Sequence, residues 1–125
     1  MKISGKVISG LEESGKFLTI PWVTEQIKER LSFLPYPGTL NILLDDRQVQ
    51  AVLKERSKER IIHREEGFCD ACLIKAVING RIECGIIIPL LDGYPKDTLE
   101  VVASVRLKDA LNIDDGDMIS LDIEF

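Results

Sequence analysis

Thr39 and Asn41 are the two residues whose types and spacing most clearly suggest chemistry. Thr39 follows a Pro-Gly dipeptide and directly precedes the apolar segment 40–44, which contains Asn41 and is predicted to form a strand. Residues two apart on a strand share a face, so the hydroxyl and the amide are expected side by side. Hard oxygen donors of this kind suit a Mg²⁺ ion that arrives with a nucleotide. On the spacing alone, the plainer interpretation is the solvent side of a half-buried strand.

A glycine-bounded segment, residues 10–15 with Lys16 behind it, is a second candidate for polar binding. It is predicted to join a strand over residues 2–9 to an extended segment over 17–20. The N–H groups of such a loop can turn inward around an anion. It is not a P-loop, because Phe17 stands where Ser or Thr is needed and a strand is predicted where a helix should follow. A plain hairpin loop is the favoured alternative.

Glu100 interrupts an apolar strand predicted over residues 98–103. Alternation places Glu100 and Val102 on one face and the other apolar residues of the strand on the opposite face, so the carboxylate can point into a cleft. Shortly afterwards, Arg106 and Lys108 form a compact basic pair in an acidic chain, within a short helix predicted over residues 105–111. They can meet phosphates, although a solvated helix start explains them equally simply.

The clearest hairpin signal joins two apolar segments, residues 68–78 and 81–89, through Asn79-Gly80. This dipeptide favours a type I′ turn. The remaining predicted elements are an amphipathic helix over residues 22–33, a short helix after Asp45-Asp46, a strand beginning at Ile61 and a final strand over residues 118–125.

Three cysteines, Cys69, Cys72 and Cys84, together with the lone His63, raise the possibility of a zinc or redox site. Residues three apart in a regular strand face opposite sides, so Cys69 and Cys72 could not reach one ion unless the backbone bulges there. Buried free cysteine is also a common small apolar residue. Zinc is therefore considered and not favoured.

Composition predicts an ordinary globular domain spanning residues 1–125. The chain has 45% apolar and 30% charged residues and a formal net charge of −5. That charge argues against binding to a nucleic-acid backbone through general electrostatics. No apolar run has the length of a membrane span, and no signal segment is recognised, so we expect a cytoplasmic protein. An odd number of cysteines makes a disulfide framework improbable.

Taken in chain order, five groups of residues resemble the archaeal-type CTP-dependent riboflavin kinases, and together they cover nearly the whole chain. The most specific group is the Pro-Tyr-x-Gly-Thr-Leu-Asn string. The groups are Ser9-Gly10-Leu11 with Gly15, Pro35-Tyr36-x-Gly38-Thr39-Leu40-Asn41, Pro89, Glu100-x-x-Ala103-x-x-Arg106-Leu107-Lys108 and Asp115-Gly116-Asp117.

The resemblance implies a mainly β fold, a six-stranded cradle-loop β-barrel with one or two short peripheral helices. It also implies transfer of the terminal phosphate of CTP to the 5′-hydroxyl of riboflavin, which gives FMN and CDP. Thr39 and Asn41 would hold Mg²⁺, and Asp92 and Glu100 would contact the flavin. By its chemistry, Glu100 is also the candidate catalytic base. The nucleotide would be held by Gly10, Leu11, Glu12, Glu13, Ser14, Gly15, Val105, Arg106, Leu107 and Lys108.

The chain departs from the family pattern at Glu12 and Ser14, where glycine is expected, at Lys16, where an aromatic residue is common, and at Asp92, where threonine is usual. Alternative functions are a non-catalytic nucleotide- or flavin-binding barrel, or a kinase for another small molecule. A DNA-binding barrel of the swapped-hairpin kind is disfavoured by the net charge. The expected partners are small molecules, with no nucleic acid and no membrane, and a monomer is favoured.

Overall fold

The computed structural model describes residues 1–10 and 14–125. Seven strands account for most of the regular structure: β1 (Lys2–Ile8), β2 (Leu40–Leu44), β3 (Glu59–Ile61), β4 (Ala71–Ile78), β5 (Ile82–Pro89), β6 (Thr98–Val102) and β7 (Met118–Ile123). Helical segments lie between them: α1 (Ser14–Phe17), α2 (Pro21–Leu31), α3 (Val49–Arg56) and α4 (Leu107–Ala110). No helix within the described ranges is both long enough and apolar enough to cross a bilayer.

Six of the strands close into an antiparallel barrel in the order β4-β5-β6-β2-β1-β7. Pairing of β7 with the second half of β4 completes the ring, and the short β3 pairs with the first half of the same edge of β4. The prediction of a mainly β, six-stranded barrel is confirmed. The part of the chain that the structure describes has four helical segments rather than one or two.

The Asn79-Gly80 hairpin is also confirmed. Both residues have positive φ, 51° and 64°, and the Arg81 N–H donates to the Ile78 carbonyl at 3.0 Å. These are the features of a type I′ turn. In the strand ladder Ile78 pairs with Ile82, so three residues, Asn79, Gly80 and Arg81, separate the paired positions instead of the two that were predicted. The strand before the turn begins at Ala71 rather than Phe68, because the residues up to Asp70 belong to the preceding loop.

Alternation along the strands separates two apolar clusters. Inward residues such as Leu40, Ile42, Leu99 and Val101 fill the barrel. On the outside, α2 packs against β4, β5 and β6, so that part of the outer barrel surface is covered as well. The outer cluster includes Trp22, Val23, Ile27, Leu31, Leu73, Ile87 and Val102. Trp22 is therefore a packing residue, as expected from its position on the amphipathic helix.

The prediction of an extended segment over residues 17–20 is wrong. Phe17 ends α1, and the chain then turns, because the Lys16 carbonyl accepts from both the backbone N–H and the hydroxyl of Thr19. Leu18 is 1% exposed and packs in the outer apolar cluster, and it does not belong to a strand. The strand predicted to begin at Ile61 instead ends there, since Glu59–Ile61 pairs with β4.

Replacing Leu121 by alanine is expected to lower the free energy of unfolding by about 2–5 kcal/mol, because a buried leucine leaves a cavity when truncated. Leu121 lies on β7 inside the barrel and is fully buried. Urea denaturation of the variant measures the loss. The matched control is Met118→Ala on the same strand, whose side chain is 53% exposed and whose truncation should change stability by less than about 0.5 kcal/mol. Equal effects of the two changes would contradict the assignment of the barrel interior.

Candidate functional site

Two adjoining cavities share a wall at one end of the barrel. Ser9, Gly10, Thr39 and Asn41 line both of them. Thr39 immediately precedes β2, Asn41 lies on it, and Leu40 and Ile42 point into the barrel. The prediction that the hydroxyl and the amide emerge on one face is therefore confirmed, and that face opens onto both cavities.

The first cavity, which we call the polar cavity, has a volume of about 580 Å³. The loop before β2 forms one side, and the segment that enters α4 forms the other. Its further lining includes Tyr36, Gly38, Val105, Arg106, Leu107 and Lys108. The structure thus brings the predicted basic pair to the same cavity as Gly10, Thr39 and Asn41.

The second cavity, which we call the apolar cavity, has a volume of about 640 Å³. Its lining includes Phe17, Phe68, Cys69, Ile87, Pro89 and Leu91, with Tyr94 and Glu100 as polar members. Phe68 and Leu91 are 37% and 59% exposed, so large apolar surface remains open to solvent around this cavity. Such surface in a concave site is typical of a place where a ligand binds.

Strand register explains how one side of the apolar cavity is built, since the four residues of one row all line it and Asn41 also lines the polar cavity. Asn41 on β2 pairs with Ile8 on β1 and with Glu100 on β6, and Glu100 in turn pairs with Ile87 on β5. The four side chains therefore form one row on the outer face of the barrel. A carboxylate and an amide lie at the centre of this row, with an apolar residue at each end.

Glu100 is held by two hydroxyl groups. The Thr39 hydroxyl donates to Oε1 at 3.0 Å, and the Tyr94 hydroxyl donates to Oε2 at 2.9 Å. Burial, followed by the neighbouring Glu100 carboxylate, raises the pKa of Tyr94 above its usual range. Tyr94 therefore remains a donor at neutral pH, and both oxygens of Glu100 have fixed directions.

Gly10 packs directly against the Asn41 side chain. A Cβ atom at position 10 would overlap the Asn41 amide. Glycine is therefore required if the backbone is to approach Asn41 this closely. The contact joins the start of the predicted nucleotide loop to one of the two candidate metal ligands.

The basic residues of the polar cavity are paired with nearby acids. Arg106 contacts Asp109 at 2.7 Å, and Lys108 contacts Asp115 at 2.8 Å. Ser9 also donates to Asp115. The hydrogen bonds from Lys108 and Ser9 lower the pKa of Asp115. Both basic side chains are consequently held at the cavity before any anion binds.

The other predicted site residues are placed differently. Asp92 is exposed in the loop between β5 and β6. It is absent from the described residues that line the two cavities. Ser14 and Gly15 open α1. Leu11, Glu12 and Glu13 lie outside the described residues.

The cysteines do not meet at one place. Cys69 lines the apolar cavity, whereas Cys72 and Cys84 are buried in the barrel core. Burial raises the pKa of Cys84 to about 12. His63 is bonded instead to Asp70, with its Nδ1 2.6 Å from the carboxylate. Cys69 and Cys72 thus lie on opposite sides of the barrel wall.

Sequence reasoning missed several lining residues, among them Phe17, Phe68 and Tyr94. Both phenylalanines fall in segments whose sequence predicts extended structure, but their ring centroids lie 6.4 Å apart beside the apolar cavity. Tyr94 lies in a loop, six residues before Glu100. An aromatic residue within the turn-forming Asp-Gly-Tyr-Pro segment was the available signal, because loops commonly carry binding residues.

Comparison with known proteins gives a consistent assignment. The CTP-dep_RFKase family, described as a domain of unknown function, DUF120, matches residues 7–123. The riboflavin kinase of Methanothermobacter thermautotrophicus is 38% identical over 116 residues, which cover 93% of this chain and 93% of that protein. The riboflavin kinase of Methanobrevibacter smithii is 33% identical over 123 residues, which cover 98% and 99%.

Some relatives are longer. The riboflavin kinase of Methanosarcina barkeri is 33% identical over 132 residues, which cover 99% of this chain but 57% of that protein. The chain thus spans little more than half of some relatives and nearly all of others. The family match begins at the end of β1 and reaches the end of β7, so it includes the residues that line both cavities. This chain belongs to the family of archaeal-type CTP-dependent riboflavin kinases.

Proposed function

We propose that the protein is a riboflavin kinase that uses CTP, transferring its terminal phosphate to the 5′-hydroxyl of riboflavin to give FMN and CDP. The observation that carries this proposal is the pair of cavities that meet at Thr39 and Asn41. One cavity offers basic side chains and the other offers apolar surface, and Glu100 lines the apolar cavity beside Thr39, which borders both. A phosphate donor and the hydroxyl of an acceptor with an apolar ring system could meet where the two cavities join.

The polar cavity suits the triphosphate of the nucleotide. Lys108 and Arg106 supply positive charge, and Gly10 allows close approach of the backbone. Because the chain has a net charge of −5, a phosphate would have to be bound by a local group of basic residues such as this one. Family membership supports CTP as the donor, since the cavity geometry alone does not select a base.

The apolar cavity suits the flavin ring system. Phe17, Phe68 and Leu91 offer apolar contacts, and a volume of about 640 Å³ lies within the ordinary range for sites of small organic ligands. The ribityl chain would then run toward Glu100 and the shared wall. This orientation places the terminal hydroxyl beside the polar cavity.

Mg²⁺ is the cofactor that we propose, held by the Thr39 hydroxyl and the Asn41 amide oxygen. Both are hard oxygen donors and both line the polar cavity, so the donor set fits this ion. Within the described ranges, no group of three His, Cys, Asp or Glu side chains is arranged to hold a metal ion. A Mg²⁺ ion with few protein ligands takes the rest from phosphates and water, and when bound it neutralises charge on the transferring phosphate.

In the proposed reaction, Glu100 accepts the proton of the ribityl hydroxyl. The hydroxyl oxygen forms a bond to the terminal phosphorus of CTP, while the bond from that phosphorus to the bridging oxygen breaks and CDP leaves with the electron pair. The protein supplies alignment and charge stabilisation rather than a covalent intermediate. Lys108 and Arg106 stabilise the phosphate oxygens as charge redistributes.

The function is tested by incubating the protein and riboflavin with Mg²⁺ and each nucleoside triphosphate separately, followed by chromatographic separation of FMN from riboflavin. We expect FMN with CTP and little with ATP, GTP or UTP, and we expect a chelator to abolish it. Formation of FMN with ATP but not CTP would overturn the proposed donor. Riboflavin binding without turnover by any nucleotide would identify a non-catalytic flavin-binding barrel instead.

A further inference from the structure

We propose that Tyr94 is a positioning residue, which fixes the Glu100 carboxylate toward the acceptor hydroxyl without itself entering the chemistry. This inference rests on the proposed function. It begins from the two hydrogen bonds to Glu100, in which Tyr94 holds Oε2 at 2.9 Å and Thr39 holds Oε1 at 3.0 Å. With one donor removed, the carboxylate could rotate about its side-chain torsions.

The loop that carries Tyr94 is itself fixed. The Tyr94 N–H donates to the Leu91 carbonyl at 3.1 Å, and the ring packs against the barrel core. On the far side, the Gln50 amide donates to the Pro95 carbonyl at 2.8 Å and to the Thr98 carbonyl at 2.7 Å. Gln50 is 2% exposed and belongs to α3, so a buried amide joins this loop to a helix. The phenol is therefore presented to Glu100 by anchored backbone.

The protonation state of the phenol agrees with a positioning role. Burial and the adjacent carboxylate raise the pKa of Tyr94 above its usual range. The hydroxyl thus keeps its proton at neutral pH and donates a hydrogen bond to Glu100. A charge-assisted hydrogen bond of this kind is stronger than one between neutral groups.

Thr39 completes the arrangement on the opposite side. Its hydroxyl contacts Glu100 and also faces the polar cavity, so one side chain borders both substrates. Tyr94 borders only the apolar cavity. Removing the Tyr94 hydroxyl therefore tests the orientation of Glu100 without altering a candidate metal ligand.

The central experiment is a double-mutant cycle on Tyr94→Phe and Glu100→Gln. Phenylalanine keeps the ring and removes only the hydroxyl. We expect kcat to fall about 10-fold in Tyr94→Phe, because a hydrogen bond to a charged group is lost, while KM for riboflavin changes less than about threefold. Because Tyr94 acts through Glu100, adding Tyr94→Phe to Glu100→Gln should cause no further loss of kcat. Losses that multiply in the double variant would overturn the proposal.

The matched control is Ser57→Ala. It also removes one hydroxyl that donates a hydrogen bond, in this case to the Glu59 carbonyl at 3.1 Å, away from both cavities. Its kcat and KM should equal those of the wild type. A fall in thermal stability of Tyr94→Phe with unchanged kcat would show a purely structural role and would also overturn the proposal.

A measurement without substrate separates this inference from the proposed function. Urea denaturation of the wild type, Tyr94→Phe, Glu100→Gln and the double variant measures the coupling between the two side chains in the free protein. Because the Tyr94 hydroxyl donates to Glu100 Oε2, we expect the stability losses of the two single variants not to add in the double variant. If the wild type makes no FMN but this coupling appears, the kinase proposal fails while the contact stands. If the two losses add, the hydrogen bond is absent in solution and the positioning role is overturned.

Discussion

Replacing Thr39 by valine is expected to lower kcat/KM for FMN formation on the order of 100-fold or more. Valine has nearly the same shape but no oxygen. The change therefore removes a candidate Mg²⁺ ligand and the hydrogen bond to Glu100 Oε1 at once. Thr39 is only partly buried and lies outside the barrel core, so stability should change little. Steady-state assays with varied CTP and Mg²⁺ measure the loss.

The control for this prediction is Thr39→Ser, which keeps the hydroxyl and should keep activity within about tenfold of the wild type. Thr24→Val makes the same replacement on α2, where the hydroxyl donates to the Pro21 carbonyl at 3.1 Å, and should be neutral for turnover. Calorimetric titration with CTP and Mg²⁺ provides a second readout, in which Thr39→Val should bind more weakly. Normal turnover by Thr39→Val would contradict the proposed Mg²⁺ site at Thr39 and Asn41.

Replacing Glu100 by glutamine is expected to lower kcat by about 10²- to 10⁴-fold, the range typical for loss of a general base. The amide is nearly the same size but cannot accept the hydroxyl proton. Its NH₂ group would also face the Tyr94 or the Thr39 hydroxyl, both of which now donate to carboxylate oxygens. Single-turnover formation of FMN measures the chemical step separately from product release.

Glu83→Gln is the matched control, because Glu83 is an exposed carboxylate on β5 and lies outside the lining of both cavities. It should leave kcat unchanged. A Glu100→Gln variant that forms FMN at the wild-type rate would show that alignment and phosphate charge stabilisation suffice. The role of Glu100 would then be limited to binding.

Local periodicity was sufficient to predict several features of the fold and the site. The Asn79-Gly80 turn depends on two adjacent residues that tolerate positive φ, and alternation placed Thr39, Asn41 and Glu100 on outward faces. What periodicity could not supply was the pairing of β2 with β6. That pairing brings together residues such as Thr39 and Glu100, which are 61 positions apart.

The errors share a physical cause. Phe17, Leu18 and Phe68 fall in short apolar stretches, which read equally well as strand or as part of a second packing layer. In this protein they cover the outer face of the barrel, where the ring centroids of Phe68 and Trp22 lie 5.4 Å apart. The hydrogen bond from Tyr94 to Glu100 could not be predicted from local sequence either, because the loop that carries Tyr94 is held in place by Gln50 on α3.

The wall shared by the two cavities has a kinetic consequence. Because donor and acceptor in the proposed reaction would face each other across Thr39 and Asn41, neither needs to leave before the other arrives. A phosphorylated enzyme carrying the group between separate compartments is unnecessary. Initial-rate plots at several fixed riboflavin concentrations should then intersect, as in a ternary-complex mechanism, rather than run parallel.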